Sequence, residues 1–155
     1  MTATTQSYSR NVRAFLDLLA FSEGTKGLGD DGYNKLVSPG GFFESYATHP
    51  NRLIAVRPGL KSTAAGRYQF LSTYWPHYQE QLGLPDFGPA SQDKWAVQLI
   101  REQRALDDVE AGRIETAVPK CANIWASLPG AGYNQPEHSL AELLAKFTEF
   151  GGVLA

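Results

Sequence analysis

A chain of 155 residues with 43% hydrophobic and 19% charged side chains is long enough to bury one core and too apolar to be disordered. A formal net charge of −2, with no dense basic patch, excludes a general drive toward nucleic acid or an anionic membrane. The single Cys121 excludes an internal disulfide framework and a multi-cysteine metal site, and His49, His77 and His138 are too scattered for zinc spacing.

The opening stretch MTATTQSYSRNVR has no apolar h-region, and Arg13 and Asp17 interrupt the first apolar run, Val12 to Phe21. Neither a secretory signal nor a membrane span is read there, so the chain is expected to stay soluble in the cytoplasm unless something else moves it. Residues 9 to 22 predict an amphipathic helix, with Val12, Phe15, Leu16 and Leu19 on one face and Leu18 and Phe21 widening it. Ser9 or Asn11 is the candidate cap and Gly24 the stop, which places Glu23 at the carboxyl-terminal end.

Residues 24 to 60 are rich in glycine and proline. The runs GYNKLV and GFFESYA, joined by SPGG, predict a small hairpin or irregular sheet, followed by a loop in RLIAVRPGLKSTAAG with room for one more short strand. RYQFLSTYWPHYQEQLG is expected to be helical, kinked or broken at Pro76. SQDKWAVQLIREQRAL is expected to be a helix with Ser91 as cap and Asp93 in its first turn, and LDDVEAG a short one ended by Gly112. RIETAVPKCANIWASL should kink or divide at Pro119, and SLPGAGYNQPEHS is a loop. Ser139 and Glu142 form a capping box before LLAKFTEF, which Gly151 stops. The pattern is α+β: one mostly helical domain spanning residues 1–155, with a small β-rich insert after the first helix and a cleft between them.

Few residues offer chemistry. Glu23 ends an apolar helix face and meets a glycine-rich loop; the negative end of the helix dipole disfavours its anion, and a dry setting would keep it protonated, as a general acid requires. Asp30 and Asp31 are either the second carboxylate of a two-acid glycosidase or turn residues of GDDG, and their spacing does not fit a calcium loop. STAAGRYQF, residues 62 to 70, lacks the lysine of a phosphate loop; it reads either as a loop entering a core helix or as amides and polar side chains (Ser62, Thr63, Tyr68, Gln69) lining a sugar cleft. In NIWASLPGAGYNQ, Trp125 reads as core, and Tyr133, Asn134 and Gln135 as a neutral donor and acceptor set suited to uncharged sugars. The pattern G-x-S-x-G is absent, and Cys121 lies inside a helix, where its thiol is not activated.

The stretches AFLDLLAFSEGT (14–25), DGY (31–33), HPNRLIAVRPGLKSTAAGRYQFLS (49–72), QLGLPDFGPASQD (81–93), CANIWASLPGAGYNQPEH (121–138) and LLAKFTEFGG (143–152) together resemble the bacteriophage lambda endolysin family of lytic transglycosylases. The resemblance covers nearly the whole chain in the same order. It implies a lysozyme-like fold and Glu23, in SEGT, as the catalytic acid. Gly66 to Gln69 and Tyr133–Asn134 look like the G-x-x-Q and tyrosine–asparagine elements of goose-type lysozymes and larger lytic transglycosylases. Two-carboxylate phage lysozymes carry an aspartate nine residues after the glutamate and a threonine six after that, where this chain has Gly32 and Ser38. A one-acid reaction is therefore expected, with the muramic C6 hydroxyl attacking C1 to close a 1,6-anhydro ring.

The resemblance further implies that loops 53 to 65 and 128 to 139 form movable lips on the glycan. It implies peptidoglycan glycan strands as substrate, no cofactor or metal, no stable membrane association, and a monomer. It also implies dependence on a separate holin for release from the host cytoplasm to the periplasm. A hydrolytic muramidase using Glu23 with Asp30 or Asp31 is the second reading, and a non-catalytic peptidoglycan-binding domain the third.

Overall fold

The structure is a computed structural model that describes residues 7–130 and 138–155. The chain divides into two compact units, one built on Thr25–Trp95 and the other on Ser7–Gly24 with Ala96–Ala155. Six helices and a two-stranded sheet are described, an α+β composition dominated by helix.

The second unit is helical. Its first helix, α1 (Arg10–Glu23), starts where Ser9 accepts a hydrogen bond from the Val12 amide and stops at a left-handed Gly24. Asn11 does not cap: its side chain donates to the Val153 carbonyl (3.1 Å) and accepts from the Val153 amide (2.8 Å), tying the carboxyl-terminal segment to α1. Helices α4 (Leu106–Ala111), α5 (Ile114–Cys121) and α6 (Leu140–Glu149) follow. α1 packs on α4 and α6, and α5 packs on both of those. Phe15, Leu18, Leu19, Val109, Ile114, Val118, Leu143 and Phe147 bury their side chains here. Pro119 stays inside the last turns of α5 and does not divide it. Asp108 is paired with Lys120 (2.7 Å) and Arg113 (2.9 Å); the Lys120 hydrogen bond chiefly holds its carboxyl below the usual range. Ser139 caps α6 through the Glu142 amide, but the Glu142 carboxylate turns to His138 and leaves the box half made.

The first unit contains the strands, and not where the sequence places them. β1 (Ile54–Arg57) and β2 (Leu60–Ser62) form an antiparallel hairpin inside the stretch expected to be a loop with at most one short strand. GYNKLV and GFFESYA contribute only isolated bridges, Lys35–Phe42 around a cis Ser38–Pro39 bond and Leu36–Ala65. The expected helix from residue 67 begins only at α2 (Trp75–Leu82), after a 3-10 turn at Ser72–Tyr74. Left-handed Gly66 and Gln69 and an Ala65–Phe70 bridge close a tight loop in its place. Pro76 lies in the first turn of α2 and does not break it, because an amide is unneeded there. α3 (Pro89–Glu102) likewise starts on a proline, two residues before the expected cap. Ser91 lies inside that helix and donates to Asp86 (3.1 Å), and Asp93 turns into the interior. The boundary between the two units falls within α3.

Around Asp93 the first unit closes a buried polar network. Tyr68 (2.6 Å) and Tyr33 (2.9 Å) both donate to Asp93 Oδ1, and burial, then the carboxylate, push both phenols well above their usual range. The neighbouring Gln92 is fully buried and satisfied. It donates to the Tyr33 and Phe87 carbonyls and accepts from the Arg67 amide. Phe70 stacks on Trp95 with centroids 3.9 Å apart, and Trp75 and Phe87 complete the aromatic core. No helix among the described residues is long and apolar enough to cross a membrane.

Two outcomes follow. At Gly66 (φ +85) an added Cβ would lie 2.5 Å from Gln92 Oε1. Gly66→Ala therefore combines left-handed strain with loss of the Gln92 bonds, and should destabilise the protein by about 2–4 kcal/mol in denaturant unfolding. Buried His49 is held neutral: Nδ1 accepts from the Asn51 amide, so Nε2 donates to the Phe70 carbonyl. Burial lowers its pKa. The unfolded chain then binds more protons just below the ordinary histidine value of about 6.5, and stability must fall as pH drops through that value. His49→Gln should be less stable at pH 7 but show a shallower fall in Tm from pH 7 to 5.5; an unchanged slope would remove His49 as its source.

Candidate active site

The site is built on the end of α1. Gly24 adopts φ 78 and ψ 18, and its amide returns to the Ala20 and Phe21 carbonyls. Glu23 is thereby the last helical residue, half-buried, as the apolar stripe and the following glycine predict. Its Oε2 accepts a short hydrogen bond from the Ser127 hydroxyl. Ser127 lies in the turn after α5, and its Oγ is 2.8 Å from that of Ser22, a buried hydroxyl of α1.

Ser22, Glu23, Gly24, Ser127 and His138 line an open cavity of about 250 Å³. The His138 ring lies 4.4 Å from Phe21, and its Nδ1 is 2.8 Å from the Glu142 carboxylate. Lys146 sits over the same Phe21 ring, 5.1 Å from its centroid. A carboxyl beside a cavity, with one oxygen held by a hydroxyl, is suited to giving up and recovering a proton. Among the described residues no three His, Cys, Asp or Glu side chains gather as a metal site needs. Cys121 is buried at the end of α5, and burial pushes its thiol up to about 12, so it is no nucleophile.

The other expected site residues are distributed differently. Glu23 belongs to the helical unit, and Ser62, Thr63, Tyr68 and Gln69 to the first unit. The Ser62 hydroxyl accepts from the Ala64 amide, and Thr63 Oγ1 from the Ser72 amide. Gln69 donates to the Gly66 (2.8 Å) and Lys35 (3.3 Å) carbonyls, so its amide holds the tight loop. Tyr68 corrects the expectation of a sugar-lining side chain: it is fully buried with its hydroxyl on Asp93. Tyr133, Asn134 and Gln135 lie outside the described residues.

Asp30 and Asp31 behave as turn residues. Asp31, at φ 47, accepts from the Gly27 amide and pairs with Arg67 (3.2 Å), and Asp30 accepts from the Tyr46 hydroxyl. Sequence reasoning missed Ser22, Ser127 and His138. Ser127 lies 104 residues from Glu23, and nothing in ASLPG marks its serine as a carboxyl partner.

A family model described as Endolysin matches residues 13–154. The chain is 52% identical to the endolysin of Escherichia phage P2, over 94% of this chain and 96% of that one. It is 51% identical to the endolysin of Escherichia phage lambda, over 92% of each. The structure superposes on bacteriophage lambda lysozyme complexed with a chitohexasaccharide at a TM-score of 0.91, with 48% identity over 97% of this chain and all of that one. Another structure of lysozyme from bacteriophage lambda gives 0.89. With Glu23 at the end of the first helix, and a match to sequence and fold along almost the whole length, the chain belongs to the endolysin family.

Proposed function

We propose that this endolysin is a lytic transglycosylase that cleaves the β-1,4 bond between N-acetylmuramic acid and N-acetylglucosamine in peptidoglycan, with Glu23 as its only acid and base. The observation that carries the reading is the different situation of the three acids. Glu23 lines an open cavity, whereas Asp30 and Asp31 are committed to the Tyr46 hydroxyl, the Gly27 amide and Arg67. The solved lambda lysozyme carries a chitohexasaccharide, which supports a glycan chain as the substrate class here.

Protonated Glu23 gives its proton to the bridging oxygen as the bond to muramic C1 breaks. The sugar's own N-acetyl group assists at C1, the part a second carboxylate plays in retaining glycosidases. The carboxylate of Glu23 then takes the proton of the muramic C6 hydroxyl, whose oxygen bonds to C1. The proton count at Glu23 is restored, a 1,6-anhydro ring is closed, and no water is consumed. Enforced proximity favours this route, since intramolecular hydroxyls reach effective molarities of about 10⁵ M or more. The enzyme acts as a single-domain monomer on a polymeric wall, needs no cofactor, and reaches the periplasm through a separate holin. Ser62, Thr63, Gln69, Tyr133, Asn134 and Gln135 are proposed to contact the sugars.

Glu23→Gln keeps size and hydrogen bonding but has no transferable proton. Clearing of permeabilised Gram-negative cells should fall by ~10²–10⁴-fold or more, with Tm little changed. A folded variant that clears cells at the parent rate would overturn the assignment, and would revive the binding-domain reading if the parent itself were inactive.

The reaction type is tested by its products. Purified peptidoglycan digested in ¹⁸O-water should give unlabelled 1,6-anhydro-muramic ends without reducing sugar. Heavy oxygen at new reducing muramic ends would instead identify a hydrolase using Glu23 with Asp30 or Asp31.

A further inference from the structure

We infer that Ser127 is the positioning residue of the acid: its hydroxyl fixes the rotation of the Glu23 carboxyl, and Ser22 fixes Ser127 in turn. This inference rests on Glu23 being the acid and adds how the chain aims it. Proton accounting supplies the direction of the chain of bonds. A serine hydroxyl has one proton and two acceptor lone pairs. Ser127 gives its proton to Glu23 Oε2, so in the 2.8 Å contact between the two serines Ser22 is the donor and Ser127 the acceptor.

The order is therefore Ser22 to Ser127 to Glu23, from a buried helical hydroxyl to the cavity wall. Ser22 is rigidly placed because it lies in α1 with its side chain buried, one residue before the acid. Ser127 comes from the turn after α5, so the acid is held by two separate parts of the helical unit. The Ser127 hydroxyl on Oε2 fixes the plane in which the Glu23 carboxyl meets the cavity. The same bond favours the carboxylate left after proton donation, because a donor to a charged oxygen stabilises it.

Removing the Ser127 hydroxyl should therefore lower turnover and shift the pH profile in a defined sense. Without a donor on Oε2 the anion is less favoured, the acid form persists to higher pH, and the alkaline limb of kcat/KM moves upward. His138 on the same cavity, Glu142 bonded to it and Lys146 over the Phe21 ring are charged or titratable groups of this unit near the acid, and the variants leave them intact.

On soluble glycan strands, Ser127→Ala should lower kcat about 10-fold or more with KM within about 2-fold, matching loss of a hydrogen bond to a charged group. Its alkaline limb should move to higher pH. Ser127→Thr, which keeps the hydroxyl, should recover most of kcat and the parent limb, and Ser22→Ala should show a smaller shift in the same direction. A folded Ser127→Ala enzyme with parental kcat and an unmoved limb would overturn the positioning role. So would a Ser127→Thr enzyme that matches Ser127→Ala in both. If Glu23→Gln retained activity, the acid assignment itself would fail, a result distinct from either of these.

Discussion

The helix end at Gly24 is the constraint on which the site depends. Its left-handed conformation turns the backbone back onto the Ala20 and Phe21 carbonyls and prevents a further turn of helix. No atom lies within 4 Å of where a Cβ would be, so glycine is required by conformation and not by space. Stopping the helix there makes the residue before it a terminal one, with one side on an apolar stripe and the other on an open cavity. A carboxyl in that position meets the negative end of the helix dipole and a hydroxyl from a distant turn together. The first opposes the anion and the second favours it, which is a balance suited to a group that must donate a proton and then accept one.

The helical unit makes that placement rigid. Almost every side of α1 is buried, from Val12 to Ser22, beyond the single stripe that periodicity suggests. The carboxyl-terminal segment closes on Asn11 and on Gly112, whose carbonyl accepts from the Ala155 amide. His138, at the entry to α6, lies on the cavity, held by Glu142 of α6 and packed on Phe21 of α1. The first unit is organised differently, around buried polar side chains paired with one another and with the backbone. Gln92 and Asp93 bind Tyr33, Tyr68, Arg67 and Phe87 through side chains and backbone, so the loop at residues 65–70 is held without regular structure. Such networks are costly when half made, and this one leaves little freedom for the tyrosine that the sequence alone offers to a ligand.

The sequence by itself determined the helices with strong period and clear caps. Ser9 and Gly24 bound α1, Ser139 opens α6, and Gly112 ends α4, because capping and left-handed turns are local chemistry that a few neighbouring residues specify. It determined the composition of the fold and the position of Glu23 at a helix end, and left Asp30 and Asp31 open between turn and second carboxylate. The family was legible as well, since stretches along the whole chain keep their order. Tertiary structure decided the rest. Residues 66–74 have helical composition, yet pairing across Ala65–Phe70 and burial of Tyr68 on Asp93 override it. The hairpin formed at Ile54–Ser62 and not at GYNKLV, because strand pairing depends on partners and registers that no local window contains. Ser22, Ser127 and His138 became site residues only when a turn over 100 positions away met the end of α1. A hydroxyl or imidazole carries no spacing signature of its own, so its role exists only in the contact that folding makes.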